Sequence, residues 1–219
     1  MQENLASRRT YGRESVEFAR TLTFTDGLFA IAMTLLVVDL AVPTLSDTSS
    51  VHELAEALND DSEKFISFFI SFAVIGRYWL AHHTYFSALA RIDRRLIALN
   101  LVYLAFIAFL PFPTALLGEY FSNPLSIAIY AVNVAIVSGM EVVLFSHAHK
   151  HGLLERKLPD DVYRYGVAMS LSPVLFFLLS IPVAFASTTL AVCIWLLGIP
   201  FGIFASRWKP EGTDELLLD

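Results

Sequence analysis

The sequence FTDGLFAIAMTLLVVDL, residues 24–40, has the composition of a membrane-spanning helix that carries one ionisable residue near its start. After Asp26, every residue is apolar or small until Asp39. A carboxylate this far inside an apolar segment is costly, and ionisable residues within membrane spans commonly take part in function. Asp26 is therefore the first candidate site residue, and its partners have to be sought elsewhere in the chain.

The composition of the whole chain indicates a membrane protein. Of its 219 residues, 56% are hydrophobic and 16% are charged, whereas a soluble domain carries about 25% charged residues. The excess apolar residues occur in long blocks. The net charge of −6 gives no electrostatic support for a nucleic-acid partner.

Sequence motifs for catalysis, metal binding or cofactor binding are not found. The chain contains no HExxH, GxSxG or CxxC motif and no TVGYG-type potassium filter. Its one cysteine, Cys193, lies in an apolar block. We therefore expect no catalytic residues, no metal and no cofactor, and we do not predict an enzyme. The first apolar block follows a long charged segment and is long enough to span, which argues against a signal peptide.

Six apolar blocks are long enough to cross a bilayer, which takes about 20 residues in a helix. They are predicted at 20–43, 63–88, 96–117, 124–147, 164–185 and 188–207. The predicted fold is all-α, with a six-helix transmembrane domain over 20–208 between an N-terminal segment, 1–19, and a tail, 209–219. PFPT at 111–114 is expected to kink the third helix near its outer end.

Lysine and arginine residues are concentrated in alternate loops, which predicts the orientation of the chain. The predicted cytoplasmic segments contain Arg8, Arg9, Arg13, Arg20, Arg91, Arg94, Arg95, Lys150, Arg156, Lys157, Arg164, Arg207 and Lys209. The opposite side contains Lys64 alone, and its first loop is acidic. Both termini are therefore expected on the cytoplasmic side of the cell membrane.

An aliphatic stripe runs along the first helix, since successive residues of a helix are about 100° apart. It consists of Phe24, Gly27, Ile31, Leu35 and Val38. Asp26 lies about 140° from Ile31 on the same geometry. The face with Thr25 and Asp26 is therefore expected to pack against neighbouring helices, while the stripe could face lipid, another helix or a pore.

Polar residues in the inner halves of the second and third helices could reach Asp26. They are Arg77, Trp79, His82, His83 and Asn100. A hydrogen-bonded cluster of Asp26 with a histidine, Trp79 and Asn100 would satisfy each buried polar group. Such a cluster could serve only to lock three helices together, and that role is compatible with holding a pore helix in place.

Three histidines, His147, His149 and His151, lie at the inner end of the fourth predicted helix. Histidines this close together could bind a metal ion. Cations at a helix C-terminus are, however, also stabilised by the helix dipole. We predict a polar helix end rather than a metal site.

The segment RTLTFTDGLFAIAMTLL resembles the RxxxFSD signature of the transmembrane protein 175 family, which comprises endolysosomal potassium channels and their bacterial relatives. Arg20, Phe24 and Asp26 match the signature. Thr25 replaces the usual serine and keeps its hydroxyl group.

Two further segments extend the resemblance over residues 20–120. They are RYWLAHHTYF and RIDRRLIALNLVYLAFIAFLPFPTALLGEY. Asp93 in the second of them also looks typical of the family. The polar cluster that we expect to be structural consists of Arg20, Phe24, Thr25, Asp26, Trp79, His82, His83 and Asn100.

The resemblance implies a function. In that family the first helices line a central pore, and bulky aliphatic side chains form its constriction. The matching positions here are Ile31, Leu35 and Val38, and Thr34 is a candidate polar contact for a passing ion. Animal members of that family carry two six-helix repeats per chain, whereas here the FTD motif occurs once and the chain shows no internal repeat. The resemblance, with four first helices around the pore, therefore implies a homotetramer. We expect a potassium-permeable channel in membrane lipid, with monovalent cations as its ligands and apolar rings as a hydrophobic gate.

Two other functions remain open. A secondary transporter could use Asp26 to bind a proton or a cation, although the inverted repeats and broken helices of transporters are not evident. A membrane enzyme could use His82 or His83 as a base, but no nucleophile lies at a recognisable spacing.

Overall fold

The computed structural model describes residues 10–211 and residue 213, and the fold within them is mostly helical. Its helices are α1 (Val16–Leu35), α2 (Val51–Asp60), α3 (Ser62–Ser87), α4 (Arg94–Phe109), α5 (Pro111–Glu119), α6 (Pro124–Lys150), α7 (Asp160–Ala184), α8 (Thr188–Leu196) and α9 (Gly198–Ala205). Short 3₁₀ helices follow α1 at Leu36–Asp39 and α9 at Ser206–Trp208. Arg8 and Arg9 of the predicted cytoplasmic segment, and positions 212 and 214–219 of the predicted tail, lie outside the described residues.

Six helical segments of the described chain are long and apolar enough to cross a membrane. They are α1 with its 3₁₀ turn, α3, α4 with α5, α6, α7, and α8 with α9. The six predicted spans are therefore confirmed in number and order. The first span begins at Val16, earlier than predicted, because Ser15 caps it by accepting the Phe18 N–H at 3.2 Å. It ends at Asp39 rather than at Pro43.

Two of the spans are interrupted by prolines. The break between α4 and α5 falls at Leu110, directly before Pro111, and agrees with the kink expected from PFPT. A second break, between α8 and α9, falls at Leu197 and was not predicted. Proline lacks an amide hydrogen, so Pro200 cannot donate to the carbonyl one turn earlier. Leu110 and Leu197 both keep α-helical backbone angles, so each of these two spans continues across its interruption as one helical segment.

Residues 10–12 of the N-terminal segment are attached to one end of the bundle by a two-stranded ribbon that the sequence did not predict. In it, β1 (Thr10–Gly12) pairs antiparallel with β2 (Arg91–Asp93), and Tyr11 lies opposite Ile92. The side chain of Arg13 also pairs with Glu155 in the loop before α7. Part of the segment predicted at 1–19 is therefore fixed to two inner loops.

The centre of the bundle is α6. Half of its apolar window, 50%, is buried, against 17% for α7, which lies at the periphery. The α6 helix packs against α4, α5, α7 and α8, while α1 packs against α3 and α4. This arrangement covers only one face of α1 and places it at an edge of the single chain.

Candidate pore helix and its polar anchor

The two faces of α1 differ sharply in burial. One face packs into the bundle with Thr25 and Phe29 almost completely buried. On the other, the side chains of Ile31 and Leu35 are 59% and 47% exposed, and Val38 in the 3₁₀ helix that follows is 74% exposed. The aliphatic stripe identified in the sequence is therefore not covered by any described part of its own chain.

A chain of buried hydrogen bonds joins α1 to α3 and α4. Asn100 Oδ1 lies 2.9 Å from His82 Nε2, and Asn100 Nδ2 donates to Thr25 Oγ1 at 2.9 Å. The Thr25 hydroxyl in turn donates to the Thr21 carbonyl oxygen at 2.9 Å. These directions give His82 an Nε2–H donor. The His82, Asn100 and Thr25 side chains are therefore all hydrogen-bonded within this network. Satisfied networks of this kind hold buried elements in one arrangement.

A second, separate contact holds α1 to α3. Trp79 Nε1 donates to Asp26 Oδ1 at 3.0 Å. His83 is exposed and stacks on the Trp79 ring, with 5.5 Å between ring centroids. The structure thus divides the single cluster expected from the sequence into two contacts, one made by Asp26 with Trp79 and one made by Thr25 with Asn100 and His82.

The other predicted site residues lie around this anchor. Arg20 and Phe24 are exposed on α1. Arg77 does not reach Asp26 through any hydrogen bond or ion pair found in the described structure, and it lines cavities between α3 and α7 instead. The Thr34 hydroxyl donates to the Ile31 carbonyl oxygen at 2.9 Å and remains on the exposed face, where its oxygen can accept a further hydrogen bond.

Of the three histidines near the end of α6, His151 stacks on His147 at 4.1 Å between ring centroids, while His147 and His149 each have a further partner. His147 Nε2 lies 3.0 Å from Asp93 Oδ2, and both side chains are buried. Asp93 also caps α4 by accepting the Leu96 N–H at 2.6 Å. His149 stacks on Tyr163 at 4.2 Å between ring centroids. No group of three or more potential metal ligands occurs among the residues that the structure describes.

Sequence reasoning missed the pairing of His147 with Asp93. The only available signal was the position of Asp93 directly before a helix, where a carboxylate is a common cap. The distance along the chain between the two residues gives no indication of their contact. The pair fastens the inner end of α6 to the start of α4.

Comparison with known proteins places this geometry in a family. The family model for the endosomal/lysosomal potassium channel TMEM175 matches residues 20–111, which contain the anchor and the exposed stripe. A potassium channel from Streptomyces collinus is 36% identical over 142 residues, which make up 63% of this chain and 68% of that protein. A potassium channel from Chamaesiphon minutus is 36% identical over 145 residues, covering 66% of this chain and 70% of that protein.

A vertebrate relative is similar over a smaller share of its length. The endosomal/lysosomal proton channel TMEM175 of Gallus gallus is 32% identical over 163 residues, which cover 71% of this chain and 32% of that protein.

Solved structures agree with the sequence comparison. The crystal structure of a lysosomal potassium-selective channel TMEM175 homolog from Chamaesiphon minutus has a TM-score of 0.71 at 29% identity, covering 87% of this chain and 99% of that one. The potassium channel MtTMEM175 has the same fold, with a TM-score of 0.59 at 20% identity over 92% of this chain and 98% of that one. The chain described here belongs to the TMEM175 channel family.

Proposed function

We propose that this chain is a potassium-permeable cation channel of the cell membrane, assembled as a homotetramer with one α1 helix from each copy around a central pore. The observation that carries the proposal is the contrast between the two faces of α1. One face is buried and hydrogen-bonded to the bundle, whereas the aliphatic face is uncovered in the single chain. Membership of a channel family agrees with a transport function and not with an enzyme.

The gate in this proposal is a stack of apolar rings. Four copies of Ile31 and of Leu35 would each form a ring, with Val38 nearer the outer end of the helix and Thr34 between the rings. Narrow apolar rings exclude water and block ions, and a small widening lets water and a cation pass. The exposed stripe contains no charged side chain between Gly27 and Val38, which agrees with this kind of gate.

The polar anchor supports the same proposal. A pore helix must keep its rotation about its own axis, because a turn of about 100° would move a neighbouring residue into the ring. The Thr25 and Asp26 contacts fix the rotation of α1 from its buried side, through Asn100 and Trp79. Asp26 is bonded to Trp79 and lies off the exposed stripe, which favours a channel over a transporter that binds its substrate at Asp26.

Potassium is our choice of permeating ion because the two bacterial relatives are named potassium channels. The vertebrate relatives are named proton channels, so protons are the competing ion. For orientation, we propose that both termini are cytoplasmic. Lysine and arginine are concentrated in the terminal segments and in the loops on their side of the membrane, whereas the α1–α3 connection on the opposite side is acidic.

Reconstitution of the purified chain into a planar bilayer tests the proposal. We expect discrete single-channel currents whose reversal potential follows the potassium gradient and shifts little when a sodium gradient is imposed. A reversal potential that follows the proton gradient would show that the permeating ion is the proton and not potassium. Flux without single-channel steps, at the turnover of a carrier, would contradict a channel and favour the transporter.

A further inference from the structure

A membrane-level cleft lies between α3 and α7, away from the exposed stripe of α1. Its inner half is a cavity of about 330 Å³ that reaches Thr84 on α3 and Glu141 on α6. Its outer half is a cavity of about 500 Å³ that begins at Ile70 and is lined by aromatic side chains of α7 and α8. Arg77 lines both halves. From Ile70 to Thr84 the cleft is about 21 Å long, at 1.5 Å per residue.

Arg77 provides a positive charge in the middle of this cleft. It lies ten residues before the end of α3 at Ser87, which places its backbone about 15 Å from the inner end of the helix. Its side chain is exposed, and none of the ion pairs among the described residues includes it. A guanidinium at this depth is costly in lipid and calls for a polar partner.

Glu141 provides the second polar group. Its side chain is 7% exposed and lines the inner cavity, where the Ser170 hydroxyl interacts with its carboxyl group, while its Oε2 has no hydrogen-bond partner among the described residues. Arg77 and Glu141 are close enough to interact electrostatically but form no ion pair. A buried acceptor without a donor calls for an explanation, and a bound molecule that supplies the donor is one.

The outer half of the cleft has the character of a site for an apolar group. Phe176, Phe177 and Trp195 lie along its wall together with aliphatic side chains. Both volumes are within the range of small-molecule sites, which combine apolar walls with a few polar groups. From Ile70 to Arg77 the apolar part extends about 10 Å along α3.

We propose that this cleft binds an uncharged amphiphile whose polar end carries a hydrogen-bond acceptor beside a donor, as in an amide or a hydroxyl group. The acceptor faces Arg77, the donor faces Glu141 Oε2, and the apolar chain lies in the outer cavity. Arg77 offers hydrogen-bond donors and Glu141 Oε2 an acceptor without a partner, so the complement is an uncharged group with an acceptor beside a donor. An anionic head group would meet Glu141, and a cationic one would meet Arg77.

The test is photolabelling of the full chain in lipid nanodiscs with decanamide that carries a diazirine at its chain end. Mass spectrometry of the labelled peptides is expected to locate the label on the wall formed by Phe176, Phe177 and Trp195. Unlabelled decanamide, decanoate and decylamine then compete, and the half-competition concentration is measured for each. Each competitor partitions equally into nanodiscs that hold a variant and nanodiscs that hold the unaltered chain. We therefore interpret only the ratio of half-competition concentrations between variant and unaltered chain.

Two charge variants are expected to change ligand preference in opposite directions. In Arg77→Gln, Glu141 is the only one of the two charged residues that remains. The half-competition concentration of decanamide is expected to rise about tenfold, because a charged hydrogen bond is lost. Decylamine is expected to compete better. Glu141→Gln leaves Arg77 alone, so decanoate competes better. Ala73→Phe keeps both charges and fills the outer cavity, so labelling is lost. Ala168→Phe, on an exposed face of α7 away from the cleft, is the matched control and keeps the labelling.

Four results would overturn the proposal. Label distributed along lipid-facing residues outside the cleft would show partitioning alone, and the lack of labelling in the cleft would indicate that another copy of the chain covers it. Unchanged competitor preferences in both charge variants would remove Arg77 and Glu141 from the site. Strongest competition by decanoate in the unaltered chain, with no change in Glu141→Gln, would mean an anionic ligand instead.

Discussion

At the scale of single residues, Thr25 has the most demanding position on α1. Its hydroxyl accepts from Asn100 Nδ2 and donates to the Thr21 carbonyl oxygen, and the residue is fully buried. Thr25→Val keeps the shape but leaves the Asn100 amide without its acceptor. A buried donor without a partner costs about 1–3 kcal/mol. We expect a lower midpoint of thermal unfolding in detergent, measured by loss of the folded peak in size-exclusion chromatography.

The matched control is Thr25→Ser, which restores the serine of the family signature and keeps the hydroxyl. It removes one methyl group, worth about 0.8 kcal/mol of apolar burial. Its midpoint should therefore fall less than that of Thr25→Val. If Thr25→Val and Thr25→Ser unfold at the same temperature, the hydrogen bond contributes little to the anchor.

Asp26 gives a second prediction at this scale. Its partner, the Trp79 indole N–H, is uncharged, so the loss in Asp26→Ala is that of a hydrogen bond to a charged group, about 1.5–3 kcal/mol. Asp26→Asn keeps an oxygen acceptor for the Trp79 N–H and should lose less stability than Asp26→Ala. We expect fewer assembled particles for Asp26→Ala by size-exclusion chromatography, with channel selectivity unchanged in those that assemble. Normal assembly of Asp26→Ala would show that the Trp79 contact is dispensable.

The sequence allowed the partners of α1 to be predicted as a set but not as pairs. Helix periodicity shows that Thr25 and Asp26 point away from the stripe, and depth selects Trp79, His82 and Asn100 as reachable groups. The choice between one cluster and two depends on how far each helix is shifted along its neighbour. A shift of one residue moves a side chain by about 1.5 Å and 100°, and no local signal fixes it.

At the scale of secondary-structure elements, α2 shows how a carboxylate can set the start of a helix. Ser50 accepts the Glu53 N–H at 3.2 Å, and the Glu53 carboxylate accepts the N–H groups of Ser46 and Asp47 at 2.6 and 3.0 Å. These bonds lower the pKa of Glu53, the Ser46 bond most of all. The stabilisation is therefore present above the ordinary pKa of glutamate, about 4.3, and is lost as the pH falls through the lowered value.

Hydrogen exchange of the α2 amides tests this pH dependence. Protection, corrected for the intrinsic exchange rate at each pH, should remain constant from about pH 7 to pH 5 and fall only on the acidic side of the ordinary glutamate pKa. In Glu53→Gln, protection should be lower throughout and independent of pH over the same interval. A decline of protection already at neutral pH in the unaltered chain would point to a different titrating group.

The elements differ in how well the sequence predicts them. The spans follow from apolar length alone, and the α4–α5 break follows from two prolines in PFPT. The acidic composition predicts a loop where α2 forms, although Ser50 and Glu53 have the spacing of a capping box. The ribbon of β1 with β2 had no comparable signal, because three-residue strands are too short for a periodic pattern and pair across about 80 residues of chain.

At the scale of the whole molecule, the exposed stripe indicates that copies of the chain associate, and the resemblance to the TMEM175 family implies that there are four. Only 22% of the apolar window of the first span is buried in the single chain. Four copies around a common axis would cover the stripe and enclose a path for ions. Native mass spectrometry in detergent should therefore show four chains per particle. A monomer that conducts ions in a planar bilayer would exclude a pore shared between chains.

The final prediction concerns the gate itself. If Ile31 forms the tightest ring, its apolar bulk is what resists the entry of water and ions. Ile31→Ala widens the ring, and Ile31→Asn makes it polar at similar size, so both should raise open probability or conductance in single-channel recordings. Leu35→Ala should act in the same direction but less strongly, because Ile31 still closes the path.

Ile66→Asn is the matched control for this gate, since Ile66 is 47% exposed on α3 and is not part of the α1 stripe. Its current should equal that of the unaltered chain. An equal rise for Ile66→Asn and Ile31→Asn would show a general effect of polar substitution on a lipid-facing surface. A further check uses Ile31→Cys in a Cys193→Ser background, because Cys193 is an exposed thiol. Modification by a charged thiol reagent should then alter the current, and a current that stays constant would place Ile31 outside the ion path.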